Sequence, residues 1–155
     1  MSKSIVSLEL ARHIREIHFG DNWTDSAMQD VLKDVTWQQA ITKPIPDANS
    51  IAELVFHMNF YLDYVHRNFK NEFLTFEQAD TFNAPALQSD ADWQALLQKT
   101  WVDAEAFAQT VEQIPVEQLH IVIPPRNNSF YKNTHGVVEH NHYHLGQIVL
   151  LKKLL

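Results

Sequence analysis

His140, His142 and His144 alternate within EHNHYHLGQI, residues 139–148, and make up three of the chain's nine histidines. A neutral imidazole offers one lone pair to a divalent cation, so the question is which of these side chains can share one ion. On a strand, all three would project from one face. That alternation would also set Val138, Gly146, Ile148 and Leu150 against Val137, Leu145, Val149 and Leu151, and neither face is consistently apolar. On a helix, Val137, His140, His144, Ile148, Leu151 and Leu155 follow spacings of three and four along one inward stripe. The helix is the better reading. It stacks His140 and His144 one turn apart, with Cβ atoms roughly 5–6 Å from each other, and turns His142 away.

A third inward imidazole is His57, mid-helix among Leu54, Val55, Met58 and Tyr61. Taken alone, a four-residue histidine spacing arises by chance on many helices, and a lone core histidine is more often hydrogen-bonded than ligating. Together, three buried imidazoles are costly unless their nitrogens are satisfied. A divalent metal satisfies all of them at once. His13, His18, His66, His120 and His135 lack a comparable partner and are expected at the surface or at helix caps, and His142 is expected to be exposed.

The chain has no cysteine, which excludes disulfides, thiolate-held zinc, iron–sulfur clusters and a cysteine nucleophile. A metal must therefore be held by imidazole, carboxylate or carbonyl oxygen. No Gly-rich phosphate loop occurs, no serine is paired with a base at a recognisable spacing, and the carboxylates do not form the Glu-x-x-His pairs of a di-iron bundle. A net charge of −7 without a basic run argues against nucleic-acid binding. No apolar run approaches the ~20 residues that cross a bilayer, so the expected setting is cytoplasmic, away from the membrane.

The elements that must position the histidines read as helices. Apolar residues recur at three and four, and only three glycines occur in 155 residues. A first helix is expected over Ser4 to His18, with Val6, Leu10, Ile14 and Ile17 inward, broken at Gly20. A second is expected from a Thr24 cap with Ala27, Met28, Val31, Leu32 and Val35 inward, and a short turn from Thr36. Ser50 and Glu53 form a capping box opening a helix to about Lys70. Ser89 caps a long helix whose Trp93, Leu97, Thr100, Ala104, Phe107 and Val111 keep one frame until Pro115. The segment LHIVIPPRNNSFYK suggests a small hairpin or irregular excursion, after which Asn133 or Thr134 caps the last helix. Four amphipathic helices in one domain, residues 1–155, predict an all-α four-helix bundle.

The motif HYHLGQI, preceded by NTHGVVEH, together with ELVFHMNFY and the break at GDNWT, resembles the DinB/YfiT-like metalloprotein superfamily over nearly the whole chain. The resemblance implies an up-down-down-up bundle, often a homodimer, holding nickel, zinc, iron or manganese. It selects His57, His140 and His144 as metal ligands, the triad that periodicity also reaches, and suggests that Gly146 lets helices approach closely. It also implies thiol-dependent chemistry in some members, which are transferases using bacillithiol or glutathione, or a mycothiol-dependent isomerase.

The expected function is a metal-dependent enzyme whose open three-histidine site activates an external low-molecular-weight thiol toward a small-molecule substrate. The alternatives are a hydrolase using metal-bound hydroxide and a non-catalytic, metal-stabilised stress-response or binding module.

Overall fold

The computed structural model describes residues 4–155. Six α-helices lie along the described residues: α1 Ile5–Phe19, α2 Met28–Leu32, α3 Trp37–Ile41, α4 Ile51–Asn68, α5 Asp90–Glu112 and α6 Phe130–Lys152. Of these, α1, α4, α5 and α6 are long enough to build a bundle. A 3-10 turn, Gln78–Phe82, lies between α4 and α5, and two short strands, β1 Val122–Ile123 and β2 Asn128–Ser129, precede α6.

The starts are set by side chains that satisfy orphan amides. Ser50 accepts from the Glu53 N–H while the Glu53 carboxylate accepts from the Ser50 N–H, and Thr36 and Gln39 repeat the exchange at α3. Ser89 accepts from the Asp92 N–H at α5. Gly20 ends α1 at φ 127°, a backbone region closed to most side chains, with its N–H bonded to the Glu16 carbonyl. Asn22 then braces the turn, donating to the Glu16 and Ser26 carbonyls and accepting from the Thr24 N–H and hydroxyl. Thr24 is thereby used inside the turn, and the expected second helix shrinks to the five residues of α2.

Contacts between helices give their directions. Asn59 donates to Thr100 and His66 meets Thr110, so residue numbers rise together and α4 runs parallel to α5. Ser7 donates to the Ile114 carbonyl while Arg15 pairs with Glu105, which makes α1 antiparallel to α5. Phe69 packs on Phe130 and His57 on His144, so α6 is antiparallel to α4. The order is up, down, down, up, an all-α bundle as expected.

Two apolar clusters fill it. One gathers Ile17, Met28, Leu32, Ile51, Val55, Met58, Trp93, Leu97, Ile148 and Leu151, and the other Leu10, Ile14, Leu62, Val65, Phe107, Val111, Leu119 and Val137. Trp93 and Phe107 are fully buried, each stabilising by about 2–3 kcal/mol relative to exposure. The Trp93 indole N–H donates to the Val35 carbonyl at 2.8 Å, so its polar edge is also satisfied. The α5 frame read from the sequence is buried at every position named.

Several expectations are corrected. Val6 is 39% exposed while the neighbouring Ser7 is buried against Ile114, because the stripe of α1 is rotated toward a polar contact with the end of α5. The last helix begins before the anticipated cap: Ser129, accepting from the Lys132 N–H, starts α6 at Phe130, and Thr134 instead donates to the Phe130 carbonyl. The excursion before it is a hairpin, with Val122 opposite Ser129 and Ile123 opposite Asn128 around a cis Pro124–Pro125 bond. Gly146 is exposed, and a Cβ built there meets nothing within 4 Å, so it mediates no helix approach within the chain.

Candidate metal centre

His57 lies in the middle of α4, flanked by Val55 and Met58 of one apolar cluster, and the antiparallel α6 brings His140 and His144 opposite it. The Nε2 atoms converge. His140 Nε2 is 3.1 Å from that of His57 and 3.1 Å from that of His144. The three residues form a group whose ligand atoms all lie within 4.8 Å of one another. His57 is 3% and His144 7% exposed, so neither nitrogen set is freely hydrated.

The outer nitrogens decide the tautomers. Thr81 Oγ1 donates to the Gln78 carbonyl at 2.8 Å, which leaves it to accept from His57 Nδ1–H at 2.9 Å. His144 Nδ1–H donates to Gln147 Oε1 at 2.6 Å, and the Gln147 amide donates onward to the Tyr143 hydroxyl. With both protons held outside, the Nε2 lone pairs of His57 and His144 point inward at the same place. Only His140 has a proton to offer them. If it sits on Nε2, one donor faces two acceptors and the buried His140 Nδ1, which has no partner, is left with a bare lone pair.

A divalent cation resolves this, because it accepts all three lone pairs and frees the His140 proton for Nδ1. Asn141 Oδ1, also buried and without a partner in hydrogen-bond geometry, is on the adjacent residue. Zinc–nitrogen bonds of about 2.0–2.1 Å at a tetrahedral angle set the nitrogens about 3.3 Å apart, close to the two 3.1 Å spacings from His140. The donor set therefore fits a metal with three neutral imidazoles.

Electrostatics keep those imidazoles neutral. Burial, followed by the His144 ring, lowers His57 to about 4 against a weaker opposing bond from Thr81. Burial lowers His140 to about 4, with His144 and His57 adding to it, the neighbouring Asn141 side chain opposing it and the nearby Arg126 cation contributing. His144 is lowered too, by burial, against the bond to Gln147. The shift of all three in the same direction weakens proton competition for the site.

Aromatic rings wall it. Phe82 stacks on His57 at 3.8 Å between centroids and 7° between planes, and Tyr61 sets an edge against both His57 and His140. The side toward the hairpin is open: a cleft of about 660 Å³, lined by His57, Tyr61 and His140 together with Arg126 and the first turns of α6, leads to the histidines.

The structure thus brings together all three residues singled out in the sequence, while His142 stays apart, half-buried rather than exposed, its Nδ1 on the Val138 carbonyl. His18 is also placed differently from expectation. It is buried in the last turn of α1, donating Nδ1–H to the Ile14 carbonyl at 2.6 Å and facing the Asn141 amide with Nε2 at 3.3 Å. His66 is half-buried on Thr110, whereas His13, His120 and His135 are exposed. Sequence reasoning missed Thr81 and Phe82, which sit on a 3-10 turn inside a segment read as loop. Gln147 was within reach, being one turn beyond His144 on the same helix.

The family model described as the DinB superfamily matches residues 21–148 of the chain, a span that includes all three histidines. No curated protein and no solved structure matches the chain significantly. Among the described residues no helix is long and apolar enough to cross a membrane.

Proposed function

The chain belongs to the DinB superfamily, and from that premise and the histidine geometry we propose that it is a metal-dependent enzyme that activates an external low-molecular-weight thiol for transfer to an electrophile. The observation that carries this reading is the pair of inward Nε2 lone pairs, fixed by Thr81 and Gln147, at the end of an open cleft. His57, His140 and His144 hold the ion, and none of them adds charge to offset it. Bound there, a divalent cation lowers the pKa of a coordinated thiol or water and so supplies a nucleophile at neutral pH.

The residues around the site divide the remaining work. Thr81 and Gln147 hold the imidazole planes, an outer arrangement that typically matters tenfold to a hundredfold in metal affinity. Phe82 and Tyr61 exclude water from one side of the histidines, which strengthens charge interactions there. The cleft admits the co-substrates. With no cysteine in the chain, the sulfur has to come from solution. In the transfer, the thiol loses its proton to solvent, sulfur forms a bond to the electrophilic carbon, and the leaving group departs with the bonding pair.

The test uses protein purified without nickel-affinity chromatography and loaded with zinc, nickel, iron or manganese. A panel of thiols is then followed for consumption against 1-chloro-2,4-dinitrobenzene. Turnover by loaded wild type and none by His140→Ala, with both chains equally folded by circular dichroism, is the expected outcome. Full metal occupancy with no thiol consumption above background across the panel sinks the thiol reading.

A further inference from the structure

Arg126 sits at the turn of the hairpin, with Cζ 5.5 Å from the ring centre of Tyr61 and 5.7 Å from that of Tyr64. The guanidinium is held over two aromatic faces, of which Tyr64 is buried and Tyr61 is itself in edge contact with His140 at 4.9 Å between centroids. The cation, on an exposed residue, lies one aromatic ring away from the candidate metal centre, on the wall of the cleft that leads to it.

What distinguishes Arg126 is the lack of an acid. Arg12, Arg15 and Arg67 each pair with carboxylates, whereas no ion pair or hydrogen bond involves the Arg126 side chain among the described residues. Lys132 lines the same cleft without an ion pair and stands in the first turn of α6, where the helix dipole disfavours a cation. Both residues are exposed, so their charges face solvent at the cleft and are available to a ligand there. The single carboxylate on the cleft wall, Glu139, is exposed and faces His135 Nδ1 at 3.4 Å. In a chain of net charge −7, two unpaired cations beside one open cleft are a local reversal of sign.

We infer that the cleft selects an anionic co-substrate, a thiol carrying a carboxylate, with Arg126 as the main specificity-determining residue and Lys132 as a second cation. The guanidinium matches a carboxylate as a two-pronged donor, and its contacts with the Tyr61 and Tyr64 rings restrict the side chain, so that less entropy is lost on binding. The sulfur then reaches toward His57, His140 and His144 from a carboxylate anchored across Tyr61. This inference rests on the thiol reading for the sulfur end only.

Two measurements test it and keep the two readings apart. In the first, cobalt-loaded protein is titrated with neutral 2-mercaptoethanol and with anionic mercaptosuccinate, and the sulfur-to-cobalt absorption band gives each affinity. Mercaptosuccinate is expected to bind about tenfold more tightly, and Arg126→Gln to remove most of that preference while leaving 2-mercaptoethanol and cobalt stoichiometry unchanged. In the second, metal-loaded protein is labelled with phenylglyoxal and modification of Arg126 is followed by peptide mass. Succinate is expected to slow labelling several-fold where succinamide does not. Equal affinity for the two thiols, unchanged by Arg126→Gln, overturns the inference even if both thiols bind. Should neither thiol perturb the cobalt spectrum, the thiol reading fails, and the labelling decides alone: protection by succinate sustains an anion subsite, and equal rates with succinate and succinamide dismiss it.

Discussion

Two buried histidine clusters meet on successive residues of α6, and they handle their nitrogens in opposite ways. At His18, the imidazole has both nitrogens engaged by the protein: Nδ1–H on the Ile14 carbonyl and the Nε2 lone pair facing the Asn141 amide. It is a tie between α1 and α6, complete without any ligand. At His57, His140 and His144 the outer nitrogens of two rings are engaged, and the inner lone pairs converge on one point. Burial and residue type are alike in the two clusters. The direction of the lone pairs separates a core histidine from a ligand, and burial by itself does not.

The largest expected effect lies at the convergent cluster. His140→Ala removes one of three donors, and a donor's share of a zinc site is about 3 kcal/mol, so affinity falls on the order of a hundredfold or more. Competitive titration with a chromophoric chelator reads this directly. If His140→Ala binds zinc as tightly as wild type, the convergence has no ligating role and the comparison collapses.

At the saturated cluster the loss is in stability instead. His18→Ala leaves a cavity and strips the buried Asn141 amide of its partner, a cost of about 2–4 kcal/mol. Thermal melts of the metal-free chain are expected to fall by about 4–16 °C, while the same variant, once loaded, still takes up one metal per chain. A His18→Ala chain that keeps its melting temperature but loses its metal would reverse the assignment of the two clusters.

A smaller change sharpens the contrast. Gln147→Leu removes the acceptor that holds His144 Nδ1–H and frees the ring to turn, so metal affinity is expected to drop about tenfold with little change in helicity. Affinity equal to wild type shows that packing against Tyr143 suffices to orient the ring.

The finest distinction is in pH. Burial lowers His18 from 6.5 to about 4, so between those values the unfolded chain takes up a proton that the folded chain refuses. Its contribution to stability is complete above about 6.5 and is lost as the pH falls through the folded value. Urea midpoints measured across that window should therefore decline with acid, and decline less steeply in His18→Ala. Identical slopes in the two chains would mean that His18 is not the neutral tie described here.

How much was legible in the sequence depended on the range of the cause. Local patterns placed the caps at Thr36 and Ser89, the capping box of Ser50 and the whole buried frame of α5, because an N-cap and an amphipathic stripe act within a few residues. The same three-and-four spacing turned His140 and His144 inward and His142 away. Local patterns failed where a tertiary contact overruled them. Asn22 recruited Thr24 from its expected cap, Ser7 found the Ile114 carbonyl, and Ser129 at the hairpin started α6 ahead of Asn133. His18 looked like a capping residue because nothing nearby in the chain announces Asn141, its partner 123 residues away.

The sequence by itself determined that the chain forms amphipathic helices and that three imidazoles face inward on two of them, since helical periodicity is a property of neighbouring residues. Whether those imidazoles meet was decided only when α6 packed antiparallel on α4. The tautomers came from the same source: Thr81 reaches His57 from a 3-10 turn, and its hydroxyl orients that ring only in the assembled bundle. So did the position of Arg126, whose charge is visible in the sequence but whose place over Tyr61 is not. A lone pair's direction depends on every group around the ring, and those groups are gathered by the tertiary fold.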